Sequence, residues 1–209
     1  MSEDVEQGGP VHEVAYVEAA PEAADAVAAA LGDLAAEIAK ADGALGFLAL
    51  RETGRPARFA MLGVWRDAPA CDRAGEAIAL WQDRMAARLA APFDRRPSSG
   101  FLVAAEPGTP PAGDAVHILT HVDVPPPSKD ICIGLLHRLV AASRNEAGAL
   151  RFDALQQENR PNHFTLIEVW RDRAAWERHL TADHTSAFRR DLTPLLGALY
   201  DERLYEPLR

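Results

Sequence analysis

The spacing of apolar positions changes period repeatedly along the chain, and each change predicts an element. Val11 to Glu18 alternates loosely, with Val14, Tyr16 and Glu18 on one side and His12, Ala15 and Val17 on the other, as a strand requires. From Pro21 the period lengthens: Val27, Leu31, Leu34 and Ile38 recur at helical spacing and form one apolar stripe. Pro21, Glu22 and Asp25 suit the first turn of that helix, where proline is tolerated and negative charge meets the dipole. Asp42-Gly43 stops it. Two strands follow, Leu45 to Arg51 and Arg58 to Trp65, joined by a turn containing Gly54 and Pro56. Asp67 is placed to cap a helical region running to Ala90, and Phe101 to Val103 is apolar enough for a final strand.

The same order then recurs: strand Val116 to Val124, helix Ser128 to Arg144 with Ser128 as N-cap, a stop at Gly148, and strands Leu150 to Gln157 and His163 to Trp170. Asp172 caps a helix to Thr181, another runs from Thr185 to Leu199, and Arg203 to Pro207 closes the series. The recurrence is literal. At an offset of 105, residues from Val11/Val116 to Arg73/Arg178 align without a gap, and 23 of the 63 pairs are identical. Chance gives about one in twenty, so the chain is an internal duplication. Residues 104–115, with Pro107, Gly108, Pro110, Pro111 and Gly113, have the composition of a linker between halves 11–103 and 116–209. Each half reads β-α-β-β-α-β, the ferredoxin-like α+β arrangement with helices on one face of an antiparallel sheet. The other face needs cover. Two halves pressed sheet to sheet supply it, which predicts a monomer with an internal pseudo-dimer.

Charge narrows the partners. The formal net charge is −9 and no Lys/Arg block occurs, so the basic footprint of a nucleic-acid binder is missing. No apolar run approaches the roughly 20 residues of a membrane span, and the acidic Met-Ser-Glu-Asp start is unlike a secretory signal. Cys71 and Cys132 stand at non-equivalent positions and read as two reduced, buried thiols of a cytoplasmic protein.

The two copies differ where chemistry is concerned. Glu168, Trp176, His179 and His184 have Gly63, Cys71, Ala74 and Ala79 opposite them, whereas Trp170 has its twin in Trp65. Fold alone accounts for residues present in both copies, and not for those present in one. Strand alternation puts Phe164, Leu166, Glu168 and Trp170 on the face that meets the helices. A carboxylate there must be paired or protonated, either in an internal ion pair with Arg151 or Arg190 or as a functional group. His179 and His184, five apart, lie about 140° apart on a continuous helix, unlike i, i+4 metal ligands, so no metal site is expected. One would face the pocket while the other caps or links helices. His117 and His121 alternate with Ile118 and Thr120 and are expected to face the other sheet. Gly-x-Gly-x-x-Gly does not occur, so that route to flavin or nicotinamide has no support.

The pattern Gly148-x3-Phe152, Arg160-Pro161, Phe164-x3-Glu168-x-Trp170-x-Asp172, followed by a helix with His179, His184, Phe188 and Leu192, resembles the antibiotic biosynthesis monooxygenase family of the dimeric α/β-barrel superfamily. The N-terminal half shares Phe47, Phe59 and Trp65-x-Asp67 but neither the Glu nor the His residues. The resemblance implies a family homodimer fused into one chain with one degenerate site. It implies oxidation of a small phenolic, anthrone-like or quinol aromatic with O2 and no bound cofactor. His179, His184 and Glu168 are then the catalytic candidates, and Trp170, Trp176, Phe152, Phe164, Leu166 and Arg190 the substrate-binding ones. The family also includes proteins of no known activity, so a non-catalytic ligand-binding or stress-related protein is the alternative. Haem binding is a further one, disfavoured because the strand Val116 to Val122 lacks the Asn of haem-degrading relatives. The polyketide oxygenases carry an Asn where this chain has Leu166.

Overall fold

A computed structural model describes residues 10–103 and 113–208; residues 1–9 and most of the expected linker lie outside the described residues. The first half consists of β1 (Val11–Glu18), α1 (Ala24–Ile38), β2 (Ala44–Glu52), β3 (Arg58–Trp65), α2 (Ala68–Met85) and β4 (Asp94–Leu102). The second consists of β5 (Val116–Asp123), α3 (Lys129–Ser143), β6 (Ala149–Gln157), β7 (His163–Trp170), α4 (Arg173–Thr181), α5 (Asp183–Leu192) and β8 (Asp201–Pro207). The strands close into one barrel in the order β1-β3-β2-β8-β5-β7-β6-β4. Every pairing is antiparallel. The two halves therefore do meet sheet to sheet, and they are also stitched at both edges. β4 pairs β1 through residues 94–99 and crosses to β6 through Ser98 to Leu102. β8 pairs β5 and crosses to β2 through Tyr205 to Pro207. Among the described residues, closure leaves no exposed sheet edge.

Alternation sorts the side chains into three cores. Val27, Leu31, Leu34 and Ile38 of α1 pack with Phe59, Met61 and Trp65 on the helix side of the first half. Burying each stabilises the fold by about 1.5–3 kcal/mol. Leu135, Leu136, Leu139, Phe152, Phe164, Leu166 and Trp170 form the matching cluster of the second. Val14, Leu50, Leu62, Leu119, Leu155, Ile167 and Tyr205 fill the barrel between the sheets.

Several expectations need correction. His12 shares a side with Val14 and Tyr16 by strand parity, inside the barrel, rather than lying with Ala15 and Val17. β4 starts seven residues before the expected Phe101. Its polar residues hid it, because they are held in ion pairs such as Arg95–Glu13 and Arg96–Asp94 instead of an apolar core. Ser128 occupies the N-cap position of α3 without a side-chain capping bond, since its backbone is already helical (φ −91°, ψ −3°). Asp67 and Asp172 do cap, accepting from the backbone N–H of Ala70 and Ala175. Cys132 is buried, but Cys71 is only half-buried.

Gly43 and Gly148 stand at equivalent places immediately before β2 and β6, with φ of +84° and +98°. Each carbonyl accepts from the residue after the central strand, Arg66 or Arg171, at 2.8 Å. A Cβ at Gly148 would lie 2.7 Å from that of Ala175. Gly148→Ala combines left-handed strain with a backbone-anchored clash, and is expected to lower unfolding free energy by about 1–3 kcal/mol in urea melts.

The two helical layers differ in one consequential way. α2 runs unbroken through 18 residues, whereas its counterpart divides into α4 and α5 at Ala182, which is extended (ψ 146°).

Candidate functional site

β7 delivers Glu168 and Trp170 to the helix side of the second half, and both are buried. The Trp170 indole N–H donates to Glu168 Oε2 at 3.0 Å. Neither Arg151, paired with Asp153 at 2.6 Å, nor Arg190 neutralises this carboxyl. Burial pushes its pKa up to about 8; the Trp170 bond opposes that, and the charge of Glu202 adds to it. The carboxyl is thus mostly protonated at neutral pH.

His179, on α4, is 3% exposed. Its ring lies over Trp170, centroids 4.7 Å apart at 30°, with Phe152 at 5.4 Å. Nδ1 is 2.6 Å from Glu146 Oε1, and Nε2 lies 3.9 Å from Glu168 Oε2. Burial lowers the His179 pKa, and the bond to Glu146 partly offsets this. His184, at the start of α5, reaches the same Glu146 oxygen through Nε2 at 2.8 Å. The break at Ala182 is what turns it back. The two rings stand 5.8 Å apart, so the expectation that residues five apart on a helix diverge fails here. One donor atom from each of Glu146, His179 and His184 lies within 4.8 Å of the others.

Glu146, in the turn after α3, was not singled out from the sequence. The signal was present: its counterpart is Ala41, the same charged-against-small contrast that marked the others.

The first half shows what the fold does without these groups. A Cβ at Gly63 would lie 2.8 Å from the Trp65 ring, and the buried Trp65 Nε1 has no hydrogen-bond partner among the described residues. The same tryptophan is kept and its carboxyl partner is absent. Near that position Glu13 is bound by Arg95 through two contacts, and Cys71 Sγ approaches it at 3.9 Å. Burial, and then Glu13, push the Cys71 thiol up to about 11, so it is unreactive near neutrality.

A cleft of about 310 Å³ opens in the second half, lined by Arg189, Leu192, Thr193, Leu196, Tyr200 and Glu202. Arg189 binds Glu202 at 2.8 Å and stacks over Tyr200 at 5.6 Å. Tyr200 is held well above its ordinary pKa by burial and by the nearby carboxyls Glu168 and Glu202. The lining includes neither Glu168 nor His179. Of the expected substrate contacts, Phe152, Phe164, Leu166 and Trp170 form the core behind the cluster, and Trp176 packs there under the Arg173 guanidinium at 5.4 Å. Arg190 is not brought to the site. Its side chain is 71% exposed and paired with Asp191, and the neighbouring Arg189 faces the cleft instead. His117 and His121 lie on the barrel side of β5, opposite in sense to Ile118 and Val122.

Among the described residues no helix is long and apolar enough to cross a membrane. Over 97% of the chain and 94% of its own length, the crystal structure of a candidate monooxygenase, FN1347 of Fusobacterium nucleatum, superposes with a TM-score of 0.85 at 15% identity. An anthrone oxidase-like protein superposes over 97% of this chain and 93% of its own at a TM-score of 0.73 and 12% identity. At such identities the likeness is one of fold. An uncharacterised protein of Synechocystis sp., sll1783, is 27% identical over 95 residues, spanning 46% of this chain and 65% of the relative. The family model described as antibiotic biosynthesis monooxygenase matches residues 10–77 and again 115–191. The one-chain barrel, the repeated Trp-x-Asp corner and this double match together make the protein a member of the antibiotic biosynthesis monooxygenase family, with two copies of the domain in a single chain.

Proposed function

We propose that the second half oxidises an electron-rich phenol, hydroquinone or anthrone-type aromatic with O2, the substrate itself supplying the electrons. The observation that carries this reading is the one-sided cluster. Against Trp170, which donates to Glu168, one half places His179 between Glu146 at 2.6 Å and Glu168 at 3.9 Å, and the equivalent positions of the other half are Gly63, Ala74 and Ala41.

On this reading the residues take the following roles. With Nδ1–H donating to Glu146, the lone pair of His179 is on Nε2, facing Glu168. A phenol in the cleft passes its proton by way of the Glu168 carboxyl to His179, and Glu146 stabilises the imidazolium. The phenolate gives one electron to O2, and the aryloxyl radical and superoxide recombine as a carbon–oxygen bond at an activated ring carbon. Return of the proton to the terminal oxygen gives a hydroperoxide. This loses the ring hydrogen with hydroxide as water, leaving a carbonyl. One O2 is consumed, one oxygen atom enters the product and the other leaves as water. On this reading Arg189, which is paired with Glu202, and Tyr200 supply the cleft's donors to a developing oxyanion.

The depth of His179 behind the cleft favours a second reading, in which the cleft holds an aromatic ligand without turnover. Oxygen uptake separates them. With a panel of anthrones, hydroquinones and phenols, the oxygenase reading expects one O2 per quinone formed, without free hydrogen peroxide. Saturable binding of the panel with no oxygen uptake would establish the second reading. Glu146→Gln removes a charged hydrogen-bond partner worth about 1.5–3 kcal/mol, so kcat is expected to fall about ten- to hundredfold with KM little changed.

A further inference from the structure

The Glu146–His179–His184 cluster has a second use that base catalysis does not require. His184 adds nothing to the proton path, yet it bonds the same carboxylate oxygen as His179, from a different helix. Three donors of mixed type, one carboxylate oxygen and two imidazole nitrogens, converge from α4, α5 and the turn after α3. We propose that they form a site for one first-row divalent transition ion of the Zn2+ or Co2+ kind.

Donor chemistry supports that class. Two neutral imidazoles and a carboxylate suit a borderline ion and leave open positions, whereas Mg2+ and Ca2+ prefer oxygen alone. The access is right. His179 is buried, but His184 and Glu146 keep 28% and 17% of their side-chain surface, so an ion can enter from solvent and hold water. The outer shell is present too. His179 would bind through Nδ1 and turn Nε2 toward the Glu168 carboxyl, the backing that metal-bound histidines usually have. Thr185 Oγ1 stands 3.2 Å from Nδ1 as a further oxygen. The separations of 2.6 and 2.8 Å are hydrogen-bond lengths. Bonds of about 2.0–2.1 Å to one tetrahedral ion set ligand atoms about 3.3 Å apart. Those two pairs must open by about half an ångström, and the two histidine nitrogens, which lie within 4.8 Å of each other, must settle at the same separation, movements within reach of a turn residue and a half-exposed histidine.

A metal on Nδ1 puts the remaining ring proton on Nε2, turning the proposed base into a donor. Loading and the base role are therefore mutually exclusive, and Zn2+ is expected to inhibit aromatic oxidation and a chelator to restore it. Binding is read without turnover, so the metal site stands or falls separately from the oxygenase reading.

The test is titration of the chelator-stripped full chain with Co2+, followed by visible ligand-field absorption, and Zn2+ competition against the bound Co2+. One ion per chain is expected. Glu146→Ala and His184→Ala are each expected to weaken binding by at least about a hundredfold, since loss of an outer-shell partner alone costs ten- to hundredfold. Both variants should fold, because the first half carries Ala41 opposite Glu146 and the His184 side chain keeps 28% of its surface exposed. His137→Ala and His163→Ala, outside the cluster, should bind as the parent does. Absence of saturable Co2+ binding, or binding equally tight in the Glu146 and His184 variants, would overturn the proposal.

Discussion

Replacing His179 with alanine is expected to lower kcat/KM for aromatic oxidation by about 10²–10⁴-fold, the usual contribution of a positioned general base. The loss should fall on kcat, because His179 lies behind the cleft rather than in its lining. Two controls separate chemistry from collapse. The alanine removes a ring packed on Trp170 and Phe152, so a stability cost of about 2–4 kcal/mol is expected, visible as a lower melting temperature. The fold itself tolerates alanine there, as Ala74 shows in the first half. The vacated space beside Trp170 has the shape of an imidazole ring, so added imidazole should restore part of the rate to His179→Ala and none to Glu146→Gln. An unchanged rate in a folded His179→Ala would move the base elsewhere and leave this cluster a structural or metal-binding device.

Much of this architecture was legible because the chain carries its own comparison. The periodicity of α1, β3 and β7 is strong, and the 105-residue offset turned each weak element into a pair. The same comparison separated Trp65 and Trp170, which both halves need for packing, from Glu168 and His179, which only one half has. Where a single side chain's direction mattered, the sequence was less informative. Arg189 and Arg190 are about 100° apart on α5, and the helix phase after the Ala182 break depends on tertiary packing rather than on spacing. β4 was obscured for a related reason: its Asp94, Arg95, Arg96, Ser98 and Ser99 follow neither strand nor helix hydropathy, yet both of its edges are hydrogen-bonded. The convergence of Glu146 with the two histidines lay beyond any linear reading, because it is made by three chain segments meeting.

Acid is expected to weaken the barrel from the inside. His117 and His121 project between the sheets, and burial, reinforced for His117 by Arg151 and for His121 by Arg96 and Arg203, lowers each pKa to about 4. Asp201 and Asp94 act the other way on His121 without prevailing. Around His121 stand the Tyr16 ring at 5.1 Å, the Arg96 guanidinium at 3.3 Å and Thr165 Oγ1 at 3.3 Å, none of which adds negative charge at neutral pH. His117 Nε2 is buried without a hydrogen-bond partner among the described residues. The unfolded chain takes up protons on these rings near pH 6.5 and the folded one does so only near 4. The unfolded state therefore binds more protons across that window, and stability must fall as pH falls from 6.5 to 4 and level off below. The shift from 6.5 to about 4 corresponds to an upper bound of about 3 kcal/mol for each ring, reduced by whatever water the barrel admits. Urea unfolding at intervals from pH 7 to 4 should show the decline in the parent chain and a flatter profile in the His117→Gln, His121→Gln double variant. Equal slopes in the two would mean that the barrel opens to water before these histidines are protonated, and that its interior is not the dry contact between halves that their burial implies.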